Sequence, residues 1–185
     1  MEEHRHLSLQ ELEAGLEGIC AAPKDAGALE LIVRRAGAGL REVLEKGELD
    51  AAEGLLGDSW KARGSSRTPD RAADPDSQLT VMNARVAALL AGTKSRWQLS
   101  GDQLFLDLDL SAGNLPPGTR LALGAAVLEI TASPHTGCKK FAGWFGPAAV
   151  TFINSPAGKA LRLRGLHARV VKSGAIKLGD IARKL

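Results

Sequence analysis

Between Gln103 and Leu110, four leucines (Leu104, Leu106, Leu108 and Leu110) alternate with Gln103, Asp107 and Asp109, and only Phe105 interrupts the polar positions. Successive side chains of an extended chain point to opposite faces, so a period of two requires a strand with one buried face. The same signal recurs in shorter runs. Ala28–Arg34 alternates, and Leu79–Met82 reads as a strand running into a helix over Asn83–Leu90. Arg120–Gly124 and Ala126–Thr131 form a hairpin, and Ala168–Val171 pairs with Ala175–Leu178 across Ser173-Gly174. Leu40–Asp50 fits a short helix or a hairpin equally well. Helices are fewer. Ser8 and Glu11 make a capping box ahead of Leu9, Leu12, Leu16, Ile19 and Cys20, which share one face before Pro23, with Cys20 as core filler. Another helix follows Cys138, with Phe141, Trp144 and Phe145 on a core face; Pro147–Ile153 and then Gly158–Arg164 read as helix then turn. Many short strands and few helices predict a mostly β fold, a closed or partly open antiparallel barrel with peripheral helices.

The chain of 185 residues is long enough for one core that buries about two-thirds of the unfolded surface. Residues 1–27 read as an amphipathic helical extension and 28–185 as the domain proper. Residues 62–78 hold two prolines and no apolar run, which predicts a long loop, either a lid or binding loop or simply solvent-exposed chain. No apolar stretch approaches the roughly 20 residues of a membrane helix, and the charged start Met1–His6 is no secretory leader, so a cytoplasmic protein is expected. Two cysteines in unlike contexts fit a reducing compartment. With His4 and His6 in a tail, His135, His167 and the cysteines have no zinc-site spacing.

Residues 1–92 carry 11 Lys/Arg against 16 Asp/Glu, and residues 93–185 carry 13 against 5. A basic half attracts anions, nucleic acid among them. There is no Tyr, however, and three of the seven Phe and Trp residues fall in the helix after Cys138, so no stacking platform for bases is in view. A small anionic ligand such as a phosphate suits the charge better; a solvated basic face is the plainer account.

Pro134-His135-Thr136-Gly137-Cys138-Lys139-Lys140 carries the chemistry. It sets a cysteine after a glycine and beside two lysines, between a strand and a helix. Cationic neighbours and the N–H groups of a helix start both favour a thiolate. A buried, inert cysteine is the bland alternative. His135 either handles a proton or caps the helix. Arg162 and Arg164 in Leu-Arg-Leu-Arg leave one face and grip a phosphate, or pair with the acidic first half. Asp58 and Asn83 sit in loops near strand ends, as site residues or turn-formers.

Gly54-Leu55-Leu56-Gly57-Asp58, the Leu121–Ile130 hairpin, Pro134–Cys138 followed by Phe141, and the tail Leu163–Val170 ending in Gly179-Asp180 together resemble the MOSC domain, the module named from the C-terminus of molybdenum cofactor sulfurases. The resemblance covers about residues 28–185 and looks closest to small stand-alone prokaryotic members. It implies a β-barrel with peripheral helices and a molybdenum cofactor (molybdopterin), with Cys138 as metal ligand and Thr136, Gly137, Lys139, Lys140, Asp58, Asn83, Arg162 and Arg164 around the cofactor. Where relatives commonly follow the Gly-Asp pair with a basic residue and a histidine, this chain has Ser59 and Trp60; the histidine's role is then either missing or supplied by His135. The implied activity is reduction of N-hydroxylated small molecules, with Cys138 and His135 at the reacting centre. Two cysteines are too few for a cluster, so electrons come from a separate donor protein. The alternatives are a sulfur carrier that takes a persulfide on Cys138 from a donor protein, and a non-catalytic binding module. The N-terminal helix leaves an edge free for a homodimer.

Overall fold

The structure, a computed structural model, describes residues 5–185. Its centre is a barrel of seven strands. In spatial order these are β1 (Ala26–Gly37), β11 (Ile181–Lys184), β7 (Arg120–Leu123), β8 (Ala126–Ile130), β9 (Leu166–Lys172), β5 (Leu79–Asn83) and β6 (Leu104–Leu106), which returns to β1. β2 (Leu40–Leu44) adds outside the ring to β1, and a small sheet of β10 (Gly174–Lys177), β3 (Lys46–Asp50) and β4 (Gly54–Leu55) covers one side. Every pairing is antiparallel except β5 with β6, where Met82 lies beside Phe105. That pair is parallel because the helix Ala84–Ala91 and the 3-10 segment Lys94–Ser100 carry the chain back between them.

Two apolar clusters hold these layers. Leu104, Leu106, Leu108 and Leu110 fill the barrel with Ile32, Val81, Leu121, Leu128 and Ala168. Regular pairing stops at Leu106, yet the alternation continues, and Leu108 and Leu110 are buried as the sequence requires. Phe105 breaks the polar face because that face is covered at this point: Phe105 belongs to a second cluster under the helices, with Leu31, Val33, Met82, Phe141, Phe145 and Phe152.

The helices are α1 (Leu9–Ala14), α2 (Leu16–Cys20), α3 (Trp60–Arg63), α4 (Ala84–Ala91), α5 (Lys139–Phe145), α6 (Pro147–Asn154) and α7 (Pro156–Ala160). The capping box is present: Glu11 N–H donates to the Ser8 hydroxyl at 3.3 Å and Ser8 N–H to the Glu11 carboxylate at 2.8 Å. Gly15 divides the expected single helix, so Leu12 and Ile19 enter the core while Cys20, one position further round, is exposed and is not core filler. Trp144 is likewise exposed, leaving Phe141 and Phe145 as the buried face of α5. The run Leu40–Asp50 is two strands in different sheets, not a hairpin or a helix. β9 and β10 do not pair with each other: β9 lies between β8 and β5, and β10 binds β3. Among the described residues no helix is long and apolar enough to cross a membrane. His4 lies outside the described residues.

Candidate functional site

Asp102 organises the site. It follows Gly101 at the end of the 3-10 segment, and its carboxylate is wholly buried. One oxygen accepts from Arg164 Nη1 at 2.7 Å and from the Ser100 hydroxyl at 2.8 Å; the other lies 2.9 Å from His135 Nε2. Burial alone would raise the carboxyl pKa, but Arg164, His135 and Ser100 together hold it far below the usual carboxylate range. An ionised carboxylate only accepts, so His135 must carry its proton on Nε2. Burial and then the Arg164 charge lower the His135 pKa. The neutral ring therefore has its lone pair on Nδ1. His135 is thus held by a carboxylate and does not cap α5.

Arg164 also donates from Nη2 to the Ser100 carbonyl at 2.9 Å and lies 5.0 Å over the Phe141 ring. Gly165 next to it has φ +101°, and a Cβ there would fall 2.3 Å from the Val81 carbonyl, so only glycine lets this turn meet β5.

His167, on β9, packs against His135 with ring centres 4.5 Å apart and planes inclined at 53°, and donates from Nδ1 to the Ser133 carbonyl at 3.1 Å. Burial first, then His135, push its pKa down to about 4. Because the folded value lies below the unfolded 6.5, the unfolded chain binds the extra proton between them, and the stabilisation present above pH 6.5 is lost as pH falls toward 4. His167 should therefore cost about 2 kcal/mol of stability between pH 7 and pH 5, with His135 acting in the same direction. Urea unfolding midpoints at the two pH values, wild type against His167→Gln, check this; the variant should lose distinctly less.

Two cavities share the wall Pro134-His135-Thr136. The first encloses about 560 Å³ and is lined by Arg35, Arg63, Arg67 and Arg71, with Trp60, Ser65, Ser66, Thr80 and His167; among the described residues no Asp or Glu is in its wall. Arg35 is placed by Asp58, which accepts from Arg35 Nε at 2.9 Å, Nη2 at 2.8 Å and the Arg35 backbone N–H at 2.9 Å. That leaves Nη1 of Arg35 without a partner in the pair. Arg63 is held below the ordinary guanidinium range by burial and by Arg35, a sign of cations crowded together, though an arginine stays charged. The loop after α3 is a wall of this cavity. Thr68 Oγ1 ties it to the Ala72 carbonyl at 2.6 Å, and Arg67 Nη1 donates to the Ser133 hydroxyl at 3.1 Å. The Trp60 indole N–H is buried without an acceptor among the described residues. The second cavity, about 460 Å³, lies across the wall and is lined by Lys159, Arg162 and Arg164 among others.

The expected site residues divide accordingly. His135 and Thr136 face both cavities, and Arg162 and Arg164 line the second. Gly137 and Cys138 follow directly on the shared wall. Cys138 is exposed at the N-cap of α5 and lines neither cavity; it is two residues, at most about 7 Å of chain, from Thr136. Lys139 and Lys140 are exposed and outside both walls. Asp58 reaches no cavity and acts through Arg35. Asn83 caps α4, accepting from the Arg85 and Val86 N–H groups and donating to the Leu108 carbonyl at 2.8 Å; it lines no cavity. Arg162 and Arg164 do not alternate on a strand: they lie in a turn where Arg162 has φ +49°. Arg164 is committed to Asp102, and Arg162 Nη1 donates to the Leu115 carbonyl at 2.6 Å, so no paired grip on one phosphate forms.

Sequence reasoning missed Arg35, Asp102, His167 and the loop arginines. Arg35 had a signal, because it continues the buried, helix-covered face of Leu31 and Val33, where a cation is out of place.

No family model matches the sequence, and no curated protein matches it. Solved structures do. YuaD from Bacillus subtilis superposes with a TM-score of 0.63 at 16% identity, over 85% of this chain and 94% of that one. YiiM from Escherichia coli gives 0.55 at 16%, over 85% and 69%. YiiM from Geobacillus stearothermophilus gives 0.52 at 13%, over 88% and 73%. The fold is MOSC-like. At these identities the likeness concerns the barrel and its helices, in agreement with the fold that the sequence resemblance implies.

The residues lining the first cavity are of the kind that a molybdenum–pterin cofactor would need. Its phosphate suits a cavity with four arginines and no carboxylate, and the orphaned Trp60 N–H awaits an acceptor. Among the described residues no three His, Cys, Asp or Glu side chains cluster as a metal site. A metal that arrives on the cofactor's own sulfurs would need only one soft protein ligand, and Cys138 is an exposed free thiol of that kind.

Proposed function

We propose that this protein binds a molybdenum–pterin cofactor and reduces N-hydroxylated small molecules. The observation that carries the reading is the carboxylate-free cavity of Arg35, Arg63, Arg67 and Arg71 beneath the segment leading to Cys138. Arg35 is paired with Asp58, but among the described residues Arg63, Arg67 and Arg71 have no carboxylate partner; such cations repel one another, and an anionic ligand relieves that cost. Arg35, Arg63, Arg67 and Arg71 hold the phosphate, Trp60 and the serines of the loop accept the rest of the ligand, and Cys138 ligates the metal. When bound, the metal centre supplies a two-electron redox couple that can take an oxygen atom. Removing an N-hydroxyl oxygen as water consumes two electrons and two protons. The electrons come from a separate donor protein, and His135 exchanges a proton at Nδ1 while Asp102 fixes its ring.

The test is the molybdenum and oxidised-pterin content of protein purified from a cofactor-producing host. Wild type should carry both. Cys138→Ser should lose at least about tenfold in molybdenum, and Arg63→Glu with Arg67→Glu should lose pterin as well, on the scale expected when charge-assisted contacts are reversed. Wild-type protein free of both would end the proposal.

The exposure of Cys138 outside both cavity walls favours one other reading, a sulfur carrier reached by a donor protein. Incubation with a cysteine desulfurase should then add about 32 Da to the Cys138 peptide; an unmodified peptide counts against it.

A further inference from the structure

The second cavity differs in kind from the first. Three cations, Lys159, Arg162 and Arg164, stand in its wall beside an apolar surface that includes Pro117, Ile153 and Leu166, and again no Asp or Glu among the described residues lines it. Burial alone lowers the Arg162 pKa, with no carboxylate opposing it, so this charge is uncompensated. Arg162 holds φ +49°, a left-handed conformation that a non-glycine residue keeps only where its surroundings demand it. The Arg164 Nε–H is buried and finds no acceptor among the described residues. An apolar hollow with a few cationic groups in its wall is the usual form of a small-molecule site.

We infer that this second cavity binds a small organic anion, a carboxylate on a flat apolar body, and that it is the substrate compartment. Lys159 and Arg162 attract the carboxylate, while Pro117, Ile153 and Leu166 cover the apolar part. His135, in the shared wall, reaches a ligand on either side. That the ligand is a substrate rests on the cofactor reading above; that the cavity binds it does not.

The experiment uses cofactor-free, isotope-labelled protein titrated with benzoate, with its neutral counterpart benzamide and with inorganic phosphate, followed by amide resonances. Benzoate should shift residues 131–136 and 158–166 with a dissociation constant near 10 mM, the efficiency expected of so small a ligand. Benzamide should bind about tenfold more weakly, since it lacks the charge. Lys159→Glu, a surface change on α7 that leaves the fold intact, should weaken benzoate about tenfold and leave phosphate binding at the first cavity within about twofold. Equal binding of benzoate and benzamide, competition between benzoate and phosphate, an unaffected Lys159→Glu variant, or no shift at about 50 mM would each overturn the inference. None of these readouts depends on molybdenum, so the cofactor reading stands or falls separately on metal content.

Discussion

Asp102→Ala lowers the stability of the protein by about 3–5 kcal/mol, as removal of one partner from a buried ion pair does. Arg164, itself buried, then keeps its charge with only the Ser100 carbonyl as acceptor, and the Ser100 hydroxyl and His135 Nε2 lose theirs. The loss comes mainly from the stranded guanidinium, so Asp102→Ala combined with Arg164→Met should recover a large part of it. Urea unfolding of the two variants reads both effects. A double variant no more stable than the single would contradict the account, because the damage would then lie in packing around the turn at Gly165. The substitution also frees the His135 ring to take either tautomer, which removes the fixed Nδ1 acceptor.

Asp58→Ala has a comparable effect on stability, about 3–5 kcal/mol, for the same physical reason. The carboxylate is fully buried and accepts from the Arg35 side chain, the Arg35 backbone and the Trp60 backbone N–H. Its consequence for ligands has the opposite sign. Removing a negative charge from behind Arg35 strengthens the positive potential of the first cavity. Phosphate should therefore bind the variant several-fold more tightly while the fold weakens, and added phosphate should restore part of the lost melting temperature. Calorimetric titration alongside thermal melts separates the two; weaker phosphate binding would mean that Asp58 mainly orients Arg35 toward the ligand.

The barrel was legible because its signal is local. Alternation at Leu104–Leu110 and the hairpin at 120–130 are set by residues next to one another. Even the exception, Phe105, was a true signal of a second buried layer. Cys20 and Trp144 were misplaced because a helical face read from spacing ignores the break at Gly15 and the short length of α5. The site was legible only where it was contiguous, at Pro134–Cys138. Asp102 is 33 residues from His135 and 62 from Arg164, separations across which no pattern reaches. The loop arginines lay in a stretch without apolar periodicity, where the chain gives no hint of what its cations will face. Asp58 and Asn83 were noticed as polar residues at strand ends, but whether such a residue faces a cavity or a backbone depends on partners far along the chain.

The seam of the barrel joins residues 26–28 to residues 181–183, almost the full span of the polypeptide. Until that zipper closes, β1 and β7 each present an unpaired edge, and the entropy of bringing such distant segments together opposes the closing step. Refolding should accordingly be slow for a protein of this size, and nascent or trimmed chains lacking β11 should self-associate through those open edges.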